Sequence, residues 1–178
     1  MEKNFFLDFK DKNDFIKKCY LTLFFSGLSK KAPGTIGTLV AMPFGFLVGS
    51  YSLSTLFLLA LLLGVFAIRI IDSYEQNGLS HDRKEIVIDE LTGVWIAISM
   101  LGLSIISLFL SFILFRIFDI WKPSIINKVD KNIKGGLGVV GDDLLAGFFA
   151  GLLGLIILKI IEYTINTDSY LLNPLILF

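Results

Sequence analysis

Thiol and imidazole chemistry are almost absent from this chain. Cys19 is its one cysteine and His81 its one histidine in 178 residues. A single cysteine excludes an internal disulfide and any cysteine-cluster metal site, and a single histidine excludes mechanisms that need two. Charge is scarce and balanced, with 16 Lys+Arg against 16 Asp+Glu, so no long-range field calls for a nucleic-acid partner. No cleavable signal peptide is expected: residues 1–18, MEKNFFLDFKDKNDFIKK, mix acids with lysines and lack an apolar run ending in small residues. Strand alternation is weak and no repeat is convincing, which leaves an all-α class.

What the chain has in quantity is apolar sequence. It is 54% hydrophobic and 18% charged, with a mean hydropathy of +0.76. That composition predicts an integral membrane helical bundle, read as one membrane-embedded domain over residues 1–178. Residues 1–18 read as an amphipathic tail, with Phe5, Phe6 and Phe9 on the membrane and Lys10, Lys12, Lys17 and Lys18 near headgroups, or else as a frayed polar tail. Residues 162–178 read as a C-terminal tail. Residues 39–71 are apolar apart from the Gly49-Ser50-Tyr51-Ser52 interruption, which predicts two helices joined by a tight turn. The basic groups Lys30/Lys31, Arg83/Lys84 and residues 116–134 belong on the cytoplasmic side under the positive-inside rule. Residues 94–115 then pose a parity problem. As one straight span they would hold Asp89 and Asp119 about 30 Å apart or more at 1.5 Å per residue. A hairpin of two short helices, turning near 102–107 and dipping into one leaflet, resolves it.

The chemistry sits in three stretches where polar sequence meets apolar sequence. Residues 85–95, EIVIDELTGVW, carry Asp89 and Glu90. Residues 115–123, FRIFDIWKP, carry Arg116, Asp119 and Lys122, spaced to lie along one helical face. Residues 135–147, GGLGVVGDDLLAG, carry Asp142 and Asp143 after a glycine-rich run. Ionised carboxylates at the edge of a hydrocarbon layer are expensive and call for a partner, although each acidic pair has an ordinary alternative as a helix start. Gly135 and Gly136 are expected in a loop whose N–H groups surround an anion. Lys30, Lys31 and the loop 33–38, which holds Thr35, offer further phosphate donors, with ordinary headgroup contact as the alternative. His81, in a polar loop, reads as solvated, with proton shuttling the less favoured role. Hard oxygen ligands without thiols or clustered histidines suit Mg²⁺, and beside lysines and arginines in a membrane they suggest phosphate-ester chemistry on a lipid headgroup. A small membrane transporter or ion-binding protein using the acidic cluster is the alternative.

Other phosphatase designs fail for want of residues. There is no cysteine followed by arginine, no histidine pair, no Asp-x-Asp opening and no Asp-Gly-x-x-Ala-Arg motif. Four motifs instead stand in order: GLSKKAPGTIGTLVAMP (27–43), HDRKEIVIDELTGVW (81–95), LFRIFDIWKP (114–123) and GGLGVVGDDLLAG (135–147). In these the sequence resembles the phosphatidylglycerophosphatase A family of bacterial inner-membrane lipid phosphatases. The resemblance implies a multi-pass protein that removes the terminal phosphate of phosphatidylglycerophosphate with Mg²⁺ at the cytoplasmic face, with membrane lipids and no protein partner or nucleic acid. Asp89, Glu90, Asp119, Asp142 and Asp143 are then the expected metal ligands or general base, with Asp89, Glu90, Asp142 and Asp143 as the ligand set. Lys31, Thr35, Arg116, Lys122, Gly135 and Gly136 are the expected substrate-binding residues. Water and a carboxylate both remain open as nucleophile.

Overall fold

The computed structural model describes residues 5–77, 80 and 83–172. Among the described residues there are seven α-helices: α1 (Lys12–Leu21), α2 (Pro33–Tyr51), α3 (Leu53–Gln76), α4 (Ile88–Leu101), α5 (Ile105–Trp121), α6 (Ser124–Asn132) and α7 (Gly136–Leu172). No strand occurs among the described residues. Three segments among the described residues are long and apolar enough to cross a membrane: Pro33–Tyr51, Leu53–Gln76 and Gly136–Thr164. The protein is an all-α membrane bundle.

Local signals explain where the helices break. Ser52 ends α2 and caps α3, its side chain accepting from the Thr55 amide at 3.2 Å. Residues 94–115 do form a hairpin: Gly102, at φ +88°, leaves α4 in a conformation that favours glycine, and Ser104 caps α5 through the Ser107 amide. The hairpin is not shallow. Leu103 packs beside Gly49, so its tip lies level with the α2–α3 turn. At the other end Lys122 adopts φ +42°, and Pro123 follows to stop α5.

Short α4 is the hub of the bundle, packing against α2, α3, α5 and α7. It is buried nearly all round, from Ile88 and Leu91 through Val94, Trp95, Ala97 and Ile98. A helix that is apolar on every side has no solvent face to offer, and this one is clad by its neighbours. Trp95 locks it to α2 by donating its Nε1 hydrogen to the Ala41 carbonyl at 2.9 Å. The outer helices carry the lipid-facing side chains, such as Leu58, Leu62, Phe66 and Ile156, all at least half exposed.

The N-terminal segment departs from the expected tail. Lys18 is fully buried, with its Nζ 2.8 Å from Asp14 Oδ2, 2.5 Å from the Asp8 carbonyl and 4.0 Å from the Phe5 ring centre. Asp14 also accepts from the Tyr74 hydroxyl of α3 at 2.7 Å. A lysine with a carboxylate, a carbonyl and an aromatic face is satisfied inside, so it does not reach for headgroups. Burial works against the charged form of Asp14, but Lys18, Tyr74 and the Lys10 amide outweigh it and hold the carboxyl down to about 2. Because this pKa is depressed, the stabilisation is present above the ordinary 3.8 and is lost as pH falls through about 2. Limited proteolysis should therefore show the segment before α2 loosening only below about pH 4. Lys18→Met is expected to cost about 3 kcal/mol by leaving Asp14 uncompensated. Tyr74→Phe should cost about 1 kcal/mol. Thermal unfolding in detergent checks both.

Candidate active site

The site begins with two glycines. A Cβ on Gly147 of α7 would fall onto the carbonyl of Gly93 in α4, and one on Gly93 would meet the Asp143 carbonyl and the Phe115 ring. The two helices therefore cross backbone to backbone, as small residues allow in membrane bundles. Asp89 lies four residues before Gly93, and Asp143 four before Gly147. That is about one helical turn in each case. The crossing thus sets the two carboxylates side by side.

Glu90 completes the group. Asp89, Glu90 and Asp143 each offer an oxygen, and these atoms all lie within 4.8 Å of one another. Asp89 and Asp143 are 8% and 4% exposed, and Glu90 Oε2 is buried with no hydrogen-bond partner. Two unit charges 4.8 Å apart repel by about 3.5 kcal/mol at an effective dielectric of about 20. Three buried carboxylates at that spacing call for a cation, a proton or both.

Cations close the other side. Arg116 Nη1 lies 2.5 Å from Asp119 Oδ2, three residues on along α5. Lys122, turned by its left-handed backbone, reaches Asp142 Oδ2 at 2.6 Å. Together these groups wall a cleft of about 270 Å³, completed by Pro33 and Gly34 of α2 and by Arg83, Lys84 and Ile86. Gly34 leaves room there, since a Cβ on it would land on Glu90 Oε1. The starts of α2, α4 and α7 and the ends of α3 and α5 all meet at this end of the bundle.

All five acids singled out in the sequence, with Arg116 and Lys122, are in this cleft. Four other residues are not part of its wall. Lys31 is exposed, and Thr35, in the first turn of α2, is half-buried outside the cleft wall. Gly135 and Gly136 do not cradle an open loop. Gly135 stands just before α7 at φ +78°, Gly136 begins the helix, and a Cβ on Gly136 would collide with the Ile68 backbone of α3. A left-handed backbone at the entry to α7 accounts for Gly135, and close helix packing for Gly136. Asp142 and Asp143 accordingly lie inside α7, not at its cap. His81 and Asp82 lie outside the described residues.

Three residues were not anticipated as site residues. Arg83 and Lys84 wall the cleft. Arg83 is braced by Glu85, donating Nε and Nη2 to the two carboxylate oxygens at 3.1 Å each. Burial opposes the charged form of Glu85, yet the bidentate guanidinium holds its carboxyl below the ordinary range. The Arg-x-Glu spacing was readable, but not that Arg83 and Lys84 would stand in one cleft wall with the acids. Asp72, at the end of α3, accepts from the Gly136 amide at 2.6 Å. It caps α7 from another helix, which no local pattern reveals. Asp72→Ala should loosen the first turn of α7 by about 1–2 kcal/mol, seen as faster amide exchange at 136–140, whereas Asp72→Asn keeps an acceptor and most of the protection.

An all-helical membrane bundle with buried carboxylates facing arginine and lysine at one end has the make-up of a membrane phosphatase. The family model described as Phosphatidylglycerophosphatase A matches residues 19–158. Phosphatidylglycerophosphatase A of Escherichia coli (strain K12) is 37% identical over 133 residues, covering 73% of this chain and 77% of that protein. Its Haemophilus influenzae namesake is 36% identical, covering 71% and 79%. A Bacteroides thetaiotaomicron protein named "Putative phosphatidylinositol-3-phosphatase" is 35% identical, covering 74% and 87%. No solved structure matches. The chain belongs to the phosphatidylglycerophosphatase A family.

Proposed function

We propose that this cleft hydrolyses the terminal phosphomonoester of phosphatidylglycerophosphate, releasing phosphatidylglycerol and inorganic phosphate, with Mg²⁺ and at the cytoplasmic face of the membrane. The observation that carries the reading is the convergence of Asp89, Glu90 and Asp143 opposite Arg116 and Lys122. The names of the Escherichia coli and Haemophilus influenzae relatives supply the substrate. The cytoplasmic assignment rests on charge: Lys30, Lys31, Arg83, Lys84 and Lys122 all lie toward the cleft end.

The donor set fits a hard divalent cation. Asp89, Glu90 and Asp143 present three carboxylate oxygens close together, one Glu90 oxygen lacking any partner, and such all-oxygen sets suit Mg²⁺. When bound, the ion supplies Lewis acidity and charge neutralisation at the phosphoryl group. Asp142 is engaged by Lys122 instead. Arg116 and Lys122 grip the phosphate oxygens and stabilise the charge that develops on them. As Arg116 turns to the phosphate, Asp119 is released from its ion pair to take the proton of the attacking water. The bond from phosphorus to the lipid glycerol oxygen breaks, and that oxygen is protonated from solvent at the membrane surface.

The test is phosphate release from phosphatidylglycerophosphate by purified protein in detergent, under Mg²⁺ and under EDTA. Release that EDTA abolishes and added Mg²⁺ restores is the expected result. No release by folded protein would sink the proposal. Phosphatidylinositol 3-phosphate is the comparison substrate, given the Bacteroides relative's name. Preference for it would change the headgroup and keep the chemistry.

A further inference from the structure

The cleft accounts for a headgroup and leaves the lipid's tails without a place. On the outer face of α5 a second concavity of about 520 Å³ is lined by Phe112, Ile113, Arg116, Ile117, Ile120 and Trp121. It is apolar except for the arginine. Two of its residues, Arg116 and Ile120, also wall the carboxylate cleft, so groove and cleft meet at one guanidinium. Residues 112 to 121 rise about 14 Å at 1.5 Å per residue, close to one leaflet of a hydrocarbon core about 30 Å thick.

Arg116 is built for such a junction. Its side chain is 15% exposed and ion-paired with Asp119, while Nε is buried with no hydrogen-bond partner. A buried, unpartnered guanidinium N–H is a donor awaiting an acceptor oxygen. Arginine can lay its methylenes along apolar surface while its head meets an anion. A ligand that is charged at one end and hydrocarbon at the other satisfies both halves at once.

We propose that the α5 groove holds an acyl chain of the phospholipid whose phosphate lies in the cleft, so that substrate enters sideways from the bilayer past Ile120 and Arg116. This rests on the phosphatase reading above for the identity of the headgroup. It adds that the tail is recognised, and where.

Two measurements test it with the full chain in nanodiscs. The first uses a non-hydrolysable phosphonate analogue of phosphatidylglycerophosphate with a diazirine in one acyl chain, compared with a diacylglycerol carrying the same diazirine. Adducts on the groove residues Phe112, Ile113, Ile117, Ile120 and Trp121 at least fivefold above those from diacylglycerol are expected. Equal labelling by the two lipids would mean bulk contact with the bilayer and would overturn the proposal. So would adducts confined to the neighbouring apolar concavity of Phe118, Ile125 and Phe149. The second fills the groove with Ile113→Trp or Ile117→Trp. The ratio of kcat/KM for the long-chain substrate to that for its deacylated, water-soluble counterpart should drop about tenfold. An unchanged ratio would overturn the proposal, whether both activities fall together or neither does. Labelling needs no turnover, so failure of the phosphatase reading would show as absent phosphate release without obscuring the groove.

Discussion

Asp143→Asn is expected to cut phosphate release by at least about 10³-fold, on the order of 4 kcal/mol of transition-state stabilisation, while making the metal-free protein more stable. The two effects have one cause. Asp143 is 4% exposed and within reach of the Asp89 and Glu90 oxygens. Without a cation, one carboxylate fewer relieves repulsion between buried like charges. Each 1 kcal/mol so recovered raises the melting temperature by about 2–4 °C in a chain of this size. Mg²⁺ should then stabilise wild type strongly and the variant weakly. Thermal unfolding with Mg²⁺ or EDTA, run beside the phosphate assay, reads both. Loss of activity with lowered stability in EDTA would assign Asp143 a structural role instead.

The second large effect concerns the crossing of α4 and α7. Gly147→Ala places a methyl where the Gly93 carbonyl now lies, and a backbone atom cannot move aside like a flexible side chain. The helices must separate, at a cost of about 1–3 kcal/mol for overpacking. Because the carboxylates are one turn from the contact, their spacing opens as well, and a displacement of about 1 Å is expected to lower activity roughly 10²-fold. Gly141→Ala is the control. Its Cβ would meet only Val129 Cγ1 at 3.4 Å, and alanine is favoured over glycine within a helix by up to about 1 kcal/mol. That variant should retain activity and melt no lower than wild type. Equal damage from both would tie the loss to the helix itself.

The contrast between these glycines shows where the sequence ceases to be legible. The lengths of the apolar runs, the Gly49–Ser52 break and the placement of positive charge were enough to anticipate the paired helices and the 94–115 hairpin, because each follows from local composition and membrane thickness. The gathering of Asp89, Glu90, Asp119, Asp142 and Asp143 followed once that hairpin returned α5 to the starting side. The role of residues 135–141 did not follow. Glycine serves a loop and a tight helix crossing equally well, and only the neighbour decides between them, here Ile68 for Gly136 and Gly93 for Gly147. Lys18 was misplaced for a related reason: its partners Asp8, Asp14 and Phe5 are close in sequence, but that they would enclose it depends on Tyr74 of α3. Asp72 capping Gly136 across 64 residues has no local signature at all.

The convergence of helix ends has a consequence for how so acidic a cleft admits an anion. The first turns of α2 and α4 form part of its wall, and each helix start carries a partial positive charge on unpaired amides, equivalent to roughly half an elementary charge. Pro33 and Gly34 put the first turn of α2 into the cleft wall itself. The peptide backbone therefore contributes a positive potential that a count of side-chain charges misses. In a chain with no net charge to spare, the orientation of its helices supplies attraction for phosphate that survives any titration of the surrounding side chains.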